Sequence, residues 1–153
     1  MKRKILITLA IAVFTVVVGC FYFATNFGAG ALDSSAKIAG DYYIHRTSSH
    51  QIMIAPETWN DSVPTIPTKV IECATDKRFI IAKRQGLKRR NPSDPNDTYE
   101  EPDPKVTDYW ILDTAVPKVF GPFTLNQFED KRKTLGVPSK LTLKDVYSFK
   151  PLL

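Results

Sequence analysis

No acidic side chain occurs in the first 32 residues, and from position 5 to position 32 there is no charge of either sign. A solvated protein surface intersperses charged and apolar residues, so this stretch is not an ordinary part of a soluble domain. Cysteine is nearly as scarce: Cys20 and Cys73 are the two in 153 residues, and that count excludes a disulfide framework. Cys20 falls in the apolar run and Cys73 in a strand-like segment, so Cys73 reads as a small buried residue. Only two histidines occur, His45 and His50, with neither an HExxH pattern nor a cysteine pair, which argues against a metal site. No nucleophile elbow supports a Ser-His-Asp arrangement. No cofactor is expected. Glycines, at seven, are outnumbered by eleven prolines, which favours turns and loops over long helices.

The low-apolar, high-charge composition of disordered chains is missing too. Hydrophobic residues make up 43% and aromatics 11% of the chain, enough for a core within one domain. The net charge of +5 suggests nucleic acid until it is located. Lys2, Arg3 and Lys4 supply three of the 21 basic residues, leaving 18 against 16 acids, a balance of +2 beyond the N-terminal segment. A nearly neutral domain has no phosphate-binding footprint, so nucleic acid is not an expected partner.

Lys2, Arg3 and Lys4 form a positive flank, and residues 5–18 are almost wholly aliphatic. Two readings follow. In one, the segment is a signal peptide ending at Val17-Val18-Gly19-Cys20, a pattern of branched aliphatics, a small residue and a cysteine that resembles a bacterial lipobox; Cys20 is then acylated and membrane lipid is the first partner. In the other, residues 5–24 are retained as a helix of about 20 residues, long enough for a hydrocarbon core of ~30 Å, with Phe21, Tyr22, Phe23 and Phe27 at the outer interface. Both readings put the rest of the chain on the extracytoplasmic side of a bacterial cell membrane. The expected divisions are an anchor over residues 1–28, a small, polar tether over 29–39, and a β-rich domain over 40–153.

Within that domain, three pairs of β-branched and aromatic runs are separated by turn residues: 41–47 with 50–54, 69–75 with 78–83, and 108–113 with 118–123. They predict an antiparallel meander of about three hairpins, forming a curled sheet or small barrel that protects its edges. One helix is marked by Thr124 and Gln127 in capping-box spacing and by Gly136 and Pro138 as its stop. Leu125, Phe128 and Leu135 are expected on its packed face, with Glu129 and Lys133 as an i,i+4 pair. Leu141, Leu143 and Val146 suggest a last short strand. Residues 56–67, with three prolines, and 89–105, with four, read as loops.

The order Gly40-Asp41-Tyr42-Tyr43, Phe79-Ile80-Ile81-Ala82-Lys83, Tyr109-Trp110-Ile111-Leu112-Asp113, Gly121-Pro122-Phe123 and the helix over 128–136 resembles small bacterial lipoproteins that carry a domain of unknown function. The resemblance spans most of residues 40–146. It implies a membrane-anchored, extracytoplasmic β-rich domain and supports lipidation of Cys20, and it brings no activity, ligand or catalytic residue. The apolar residues that follow Cys20 depart from the polar spacer usual in such proteins.

Residues 83–90 hold five basic side chains in eight, Lys83, Arg84, Lys88, Arg89 and Arg90, a candidate interaction surface for anionic headgroups or an acidic partner. Asp94, Asp97, Glu100, Glu101 and Asp103 follow at once, and neutralisation within the loop competes with that reading. The same acids lack the glycine and spacing of a Ca²⁺ loop. Tyr42, Tyr43, Tyr109, Trp110, Phe120 and Phe123 are mostly core, with an outward subset able to bind protein or glycan. The expected function is that of a non-enzymatic envelope lipoprotein binding an envelope protein or polymer. The alternatives are an envelope-polymer enzyme using scattered carboxylates and a single-pass protein with a structural role. Mass spectrometry of the membrane-extracted protein should show a diacyl or triacyl mass on Cys20 that is lost in Cys20→Ala, whereas an intact, unmodified Met1 form would refute acylation.

Overall fold

The computed structural model describes residues 33–60 and 62–152. Lys2, Arg3, Lys4, Cys20 and the whole 1–28 anchor segment lie outside the described residues. The chain runs through β1 (Ser34–Ala39), β2 (Tyr42–Arg46), β3 (Ile52–Pro56), β4 (Val70–Thr75), β5 (Phe79–Arg89), β6 (Glu100–Asp113), β7 (Lys118–Phe123), α1 (Leu125–Leu135) and β8 (Lys144–Asp145), closing with a 3-10 turn, Val146–Ser148.

The three expected hairpins are present as β2–β3, β4–β5 and β6–β7, all antiparallel. Their turns are built by side chains rather than by glycine. Ser48 Oγ accepts from the amides of His50 and Gln51 at 3.2 and 3.0 Å. Asp76 Oδ1 accepts from those of Arg78 and Phe79 at 2.7 and 2.6 Å. Short oxygen-bearing side chains that mimic a backbone turn account for this.

The hairpins do not form one curled sheet, and there is no closed barrel among the described residues. They divide between a three-stranded sheet, β1-β2-β3, and a five-stranded sheet, β7-β6-β5-β4-β8. One core cluster joins Ala36, Ile44 and Ile54 of the first sheet to Val70, Cys73, Ile80, Ala82 and Leu112 of the second. A separate cluster, Ala74, Phe79, Ile81 and Ile111, meets Phe128 of α1 on the opposite face. The five-stranded sheet is therefore the middle of three layers. Phe79, Ile80, Ile81 and Ala82 are all buried because successive side chains point to opposite, equally covered faces. Each fully buried isoleucine contributes roughly 1.5–3 kcal/mol by removal from water.

Residues 34–39, inside the stretch expected to be a tether, form β1. Small residues suggest a linker by composition, but Ala36 and Ala39 are buried in the core cluster between the two sheets. Part of the anticipated 89–105 loop is strand: residues 100–105 belong to β6, while residues 90–99 form the connection between β5 and β6. β5 and β6 continue as a two-stranded ribbon, with Leu87 opposite Pro102 and Arg89 opposite Glu100. β7 pairs with β6 only from Tyr109 onward, so the outer edge at Pro102 and Pro104 needs no amide donor and proline is tolerated.

Helix α1 starts and stops as predicted. Thr124 and Gln127 form the reciprocal capping box, and Gly136 ends the helix in the left-handed conformation at φ 72°. Leu125, expected on the packed face, is exposed, leaving Phe128 as the buried anchor. Glu129 pairs with Arg132 at 3.2 Å and Lys133 with Asp130 at 3.5 Å, in place of the Glu129–Lys133 pair. The last strand, β8, is only Lys144 and Asp145, which pair with Cys73 and Glu72 of β4; Leu141 and Leu143 precede it, and Val146 begins the 3-10 turn.

The β6–β7 hairpin depends on a close approach. Gly121 sits at φ 141°, and a Cβ there would lie 2.6 Å from Trp110 Cδ2. Backbone strain and overpacking act together, so Gly121→Ala should lower stability by about 1–3 kcal/mol, read as a reduced urea midpoint at unchanged slope.

Candidate functional site

Four of the five residues of the basic run, Lys83, Arg84, Lys88 and Arg90, are paired with acids. Lys83 Nζ lies 3.2 Å from Glu72, Lys88 Nζ 3.4 Å from Glu101, and Arg90 Nε 3.0 Å from Asp97. Arg84 is scaffold: its guanidinium donates twice to Asp108, at 3.0 and 2.7 Å, and to the Thr68 carbonyl at 2.7 Å, while covering the Trp110 ring. Trp110 Nε1 also donates to Asp108, at 2.6 Å. Arg89 is exposed, opposite Glu100. Strand pairing thus sets Arg84, Lys88 and Arg89 against Asp108, Glu101 and Glu100 of β6, and opposite charges across antiparallel strands neutralise pairwise.

The chemistry elsewhere is equally committed to structure. Cys73 is fully buried, and burial pushes its thiol up to about 12, far from the thiolate a nucleophile needs. Among the described residues no group of three or more His, Cys, Asp or Glu side chains is placed to hold a metal ion. His50 is exposed on the β2–β3 turn, and His45 is held within the sheet.

His45 is the centre of the most developed surface feature. On the outward face of β2, its imidazole lies between Tyr43, with ring centroids 5.9 Å apart, and Trp59, at 4.7 Å. Two hydrogen bonds lock it. Nε2 is 3.0 Å from the Pro56 carbonyl, which can only accept, so Nε2 donates. The other ring nitrogen, Nδ1, is hydrogen-bonded to Ser35 Oγ at 3.1 Å. Lys37 Nζ stands 5.5 Å from the Tyr43 ring centroid. The tier ends at Trp59, 45% exposed, in the proline-rich segment after β3.

Tyr43 also lines an open groove of about 680 Å³. One wall comes from Gly40 to Tyr43 at the β1–β2 turn and another from Pro56, Glu57 and Thr58. Thr114 and Pro117 of the β6–β7 turn close it. That turn is braced by Asp113, whose carboxylate accepts from Arg78 Nη2 at 2.6 Å and from the Ala115 amide at 3.0 Å. The Thr114 amide donates to the Arg78 carbonyl at 2.8 Å. Of the six strand aromatics, Tyr42 turns inward, and its phenol is raised by burial. Tyr109 stacks on Phe128 at 5.0 Å, and Phe120 and Phe123 pack towards the helix. Tyr43 is the strand aromatic presented to the groove. Trp59 carried no signal in the sequence, because a lone tryptophan in an irregular segment has no periodicity to assign it a face.

A family model described as a protein of unknown function, DUF3997, matches residues 39–147. No curated protein and no solved structure matches the chain.

The Arg78 guanidinium, donating to Asp113, holds that carboxyl below its ordinary range. A depressed folded-state value stabilises the fold above the unfolded carboxylate value, ~3.9, and the benefit disappears as pH falls through the folded value. Asp113→Asn should therefore be less stable than the parent at neutral pH, with the gap narrowing below about pH 4 in urea melts. A gap independent of pH would remove the ion pair from this account.

Proposed function

The chain belongs to the DUF3997 family of proteins of unknown function, and on that premise we propose that it is a membrane-anchored, extracytoplasmic binding protein of the bacterial envelope, not an enzyme. Acylation of Cys20 within Val17-Val18-Gly19-Cys20 is the proposed anchor, with Lys2, Arg3 and Lys4 orienting the segment. Among the described residues no helix is long and apolar enough to cross a membrane.

The observation that carries the binding reading is the fixed ring tier beside the groove. Rings that are already ordered lose little conformational entropy on binding, and a concave site with a few placed polar groups is the usual form of a recognition surface. The carboxylates do not favour the enzyme alternative. Asp97 and Asp113 are shifted downward by Arg90 and Arg78, the reverse of what a general acid for glycoside cleavage requires. The expected partner is an envelope protein or polymer that meets the sheet-and-groove face.

A photocrosslinking residue placed at position 59 of the full-length chain in intact cells should yield a discrete envelope adduct, and the same residue at exposed position 130 on α1 should not. The adduct should weaken when Cys20→Ala releases the chain from the membrane. Equal labelling from both positions, or none from position 59, would overturn the proposal.

A further inference from the structure

We propose that Lys118 and Lys131, with Arg78 at their margin, form a cationic ledge on the helix side of the five-stranded sheet that binds a linear phosphodiester polymer. The inference goes beyond the binding role proposed above and does not use the groove.

Two rings of the helix-side cluster place these side chains. Lys118 Nζ, at the start of β7, lies 5.3 Å from the Phe120 ring centroid, and Lys131 Nζ, on α1, lies 4.8 Å from the same centroid. Arg78 Cζ, in the β4–β5 turn, stands 4.7 Å from the centroid of Phe79. Phe79 and Phe120 belong to one cluster, so three separate elements bring cations to one face. An aromatic face attracts an ammonium group without neutralising it.

The neighbouring carboxylates are already engaged. Lys118 is opposite Asp113 in the β6–β7 register, but Asp113 accepts from Arg78 Nε at 3.0 Å and Nη2 at 2.6 Å. It also accepts from the amides of Ala115 and Val116, at 3.0 and 3.4 Å. On α1, Glu129 is paired with Arg132 and Asp130 with Lys133. Among the described residues neither Lys118 nor Lys131 is paired with a carboxylate, whereas Lys83 and Lys88 are. Two like charges over one ring repel each other, and an anionic chain relieves that repulsion. The balance of +2 beyond the N-terminal segment does not disclose the ledge, because it counts paired and unpaired charge alike.

The occupant follows from the kind and placement of these charges. Ammonium groups are point charges that hold phosphate without a fixed plane, while the one guanidinium, the fork that fits a carboxylate, is given to Asp113. Two ammonium groups on one ring and a third cation on the next call for successive negative charges, not one small anion. A flat anionic bilayer fits less well. The groove on the other flank of the β6–β7 turn is lined by Asp41 and Glu57 together with Thr114 and Pro117, so a plane laid on that turn meets both signs. An acidic peptide would take main-chain bonds from the edge strand β7, but Gly121 at φ 141° and Pro122 interrupt that edge.

The test uses the full-length chain in phosphatidylcholine nanodiscs and fluorescently labelled poly(glycerol phosphate), read by anisotropy. Binding should be saturable and should weaken between about 50 and about 200 mM salt, because each ammonium–phosphate contact releases condensed counterions. Lys118→Gln and Lys131→Gln should each weaken binding about three- to tenfold and lower the slope of log affinity against log salt by about one. Lys118→Arg should retain both. Lys140→Gln, which removes an exposed lysine elsewhere, should change neither, with circular dichroism showing every variant folded. Unaltered affinity and slope in folded Lys118→Gln and Lys131→Gln would overturn the proposal, as would an equal loss in Lys140→Gln. Equally tight binding of polyglutamate would remove the phosphodiester assignment. A photocrosslinker at position 116, where Val116 is 65% exposed, should capture phosphate-bearing polymer in intact cells, and capture of lipid alone would give the ledge to the bilayer instead. None of these results bears on the adduct from position 59, so the two roles fail separately.

Discussion

Burial of the five-stranded sheet on both faces is the constraint on which the rest of the domain depends. β5 is apolar at four successive positions, Phe79 to Ala82, and no single layer can cover such a strand. One face takes the three-stranded sheet, through Ile44 and Ile54, and the other takes α1, through Phe128. Removal of either layer would return a row of isoleucines to water, at roughly 1.5–3 kcal/mol per side chain, which rivals the whole margin of a small domain. The ring tier and groove exist because the covering sheet has a second, solvent-facing side.

Arg46 shows how the covering sheet is tied to the chain's other end. It is 6% exposed, and its guanidinium donates to the carbonyls of Val146 and Phe149 rather than to a carboxylate. Tyr147 lies over the same guanidinium at 5.6 Å. Carbonyl oxygens at the 3-10 turn carry enough negative charge to accept from a buried cation, although Arg46 Nε is left without a hydrogen-bond partner. The Leu152 amide, 2.8 Å from the Ser35 carbonyl, adds a second tie between the C-terminal end and β1. The second of these occupies a backbone carbonyl on the edge strand β1.

Charge in this protein works mainly within the fold. Lys88 and Arg89 face Glu101 and Glu100 across the β5–β6 ribbon, and the half-buried pair Arg84–Asp108 supports Trp110, against which Gly121 closes. The groove stands apart, with carboxylates and no facing cation in its lining. Lys37 stands over the Tyr43 ring beside it, so charges of both signs surround the ring tier.

The sequence by itself determined the local structure: three hairpins from alternating apolar runs bounded by Ser and Asp turns, and a helix from Thr124, Gln127 and Gly136. It also located the apolar N-terminal segment and the small charge balance beyond it. These are short-range properties, written in periodicity, capping chemistry and composition. Tertiary structure alone decided that the hairpins split into two stacked sheets, that residues 34–39 are a strand, and that residues 100–103 pair rather than loop. It also decided that Tyr43 faces outward beside Trp59 while Tyr42 is buried. A one-residue change of register inverts which aromatic is exposed, and a lone tryptophan in an irregular segment has no period to read. Both depend on which distant residues cover each face, and distance in sequence carries no record of that.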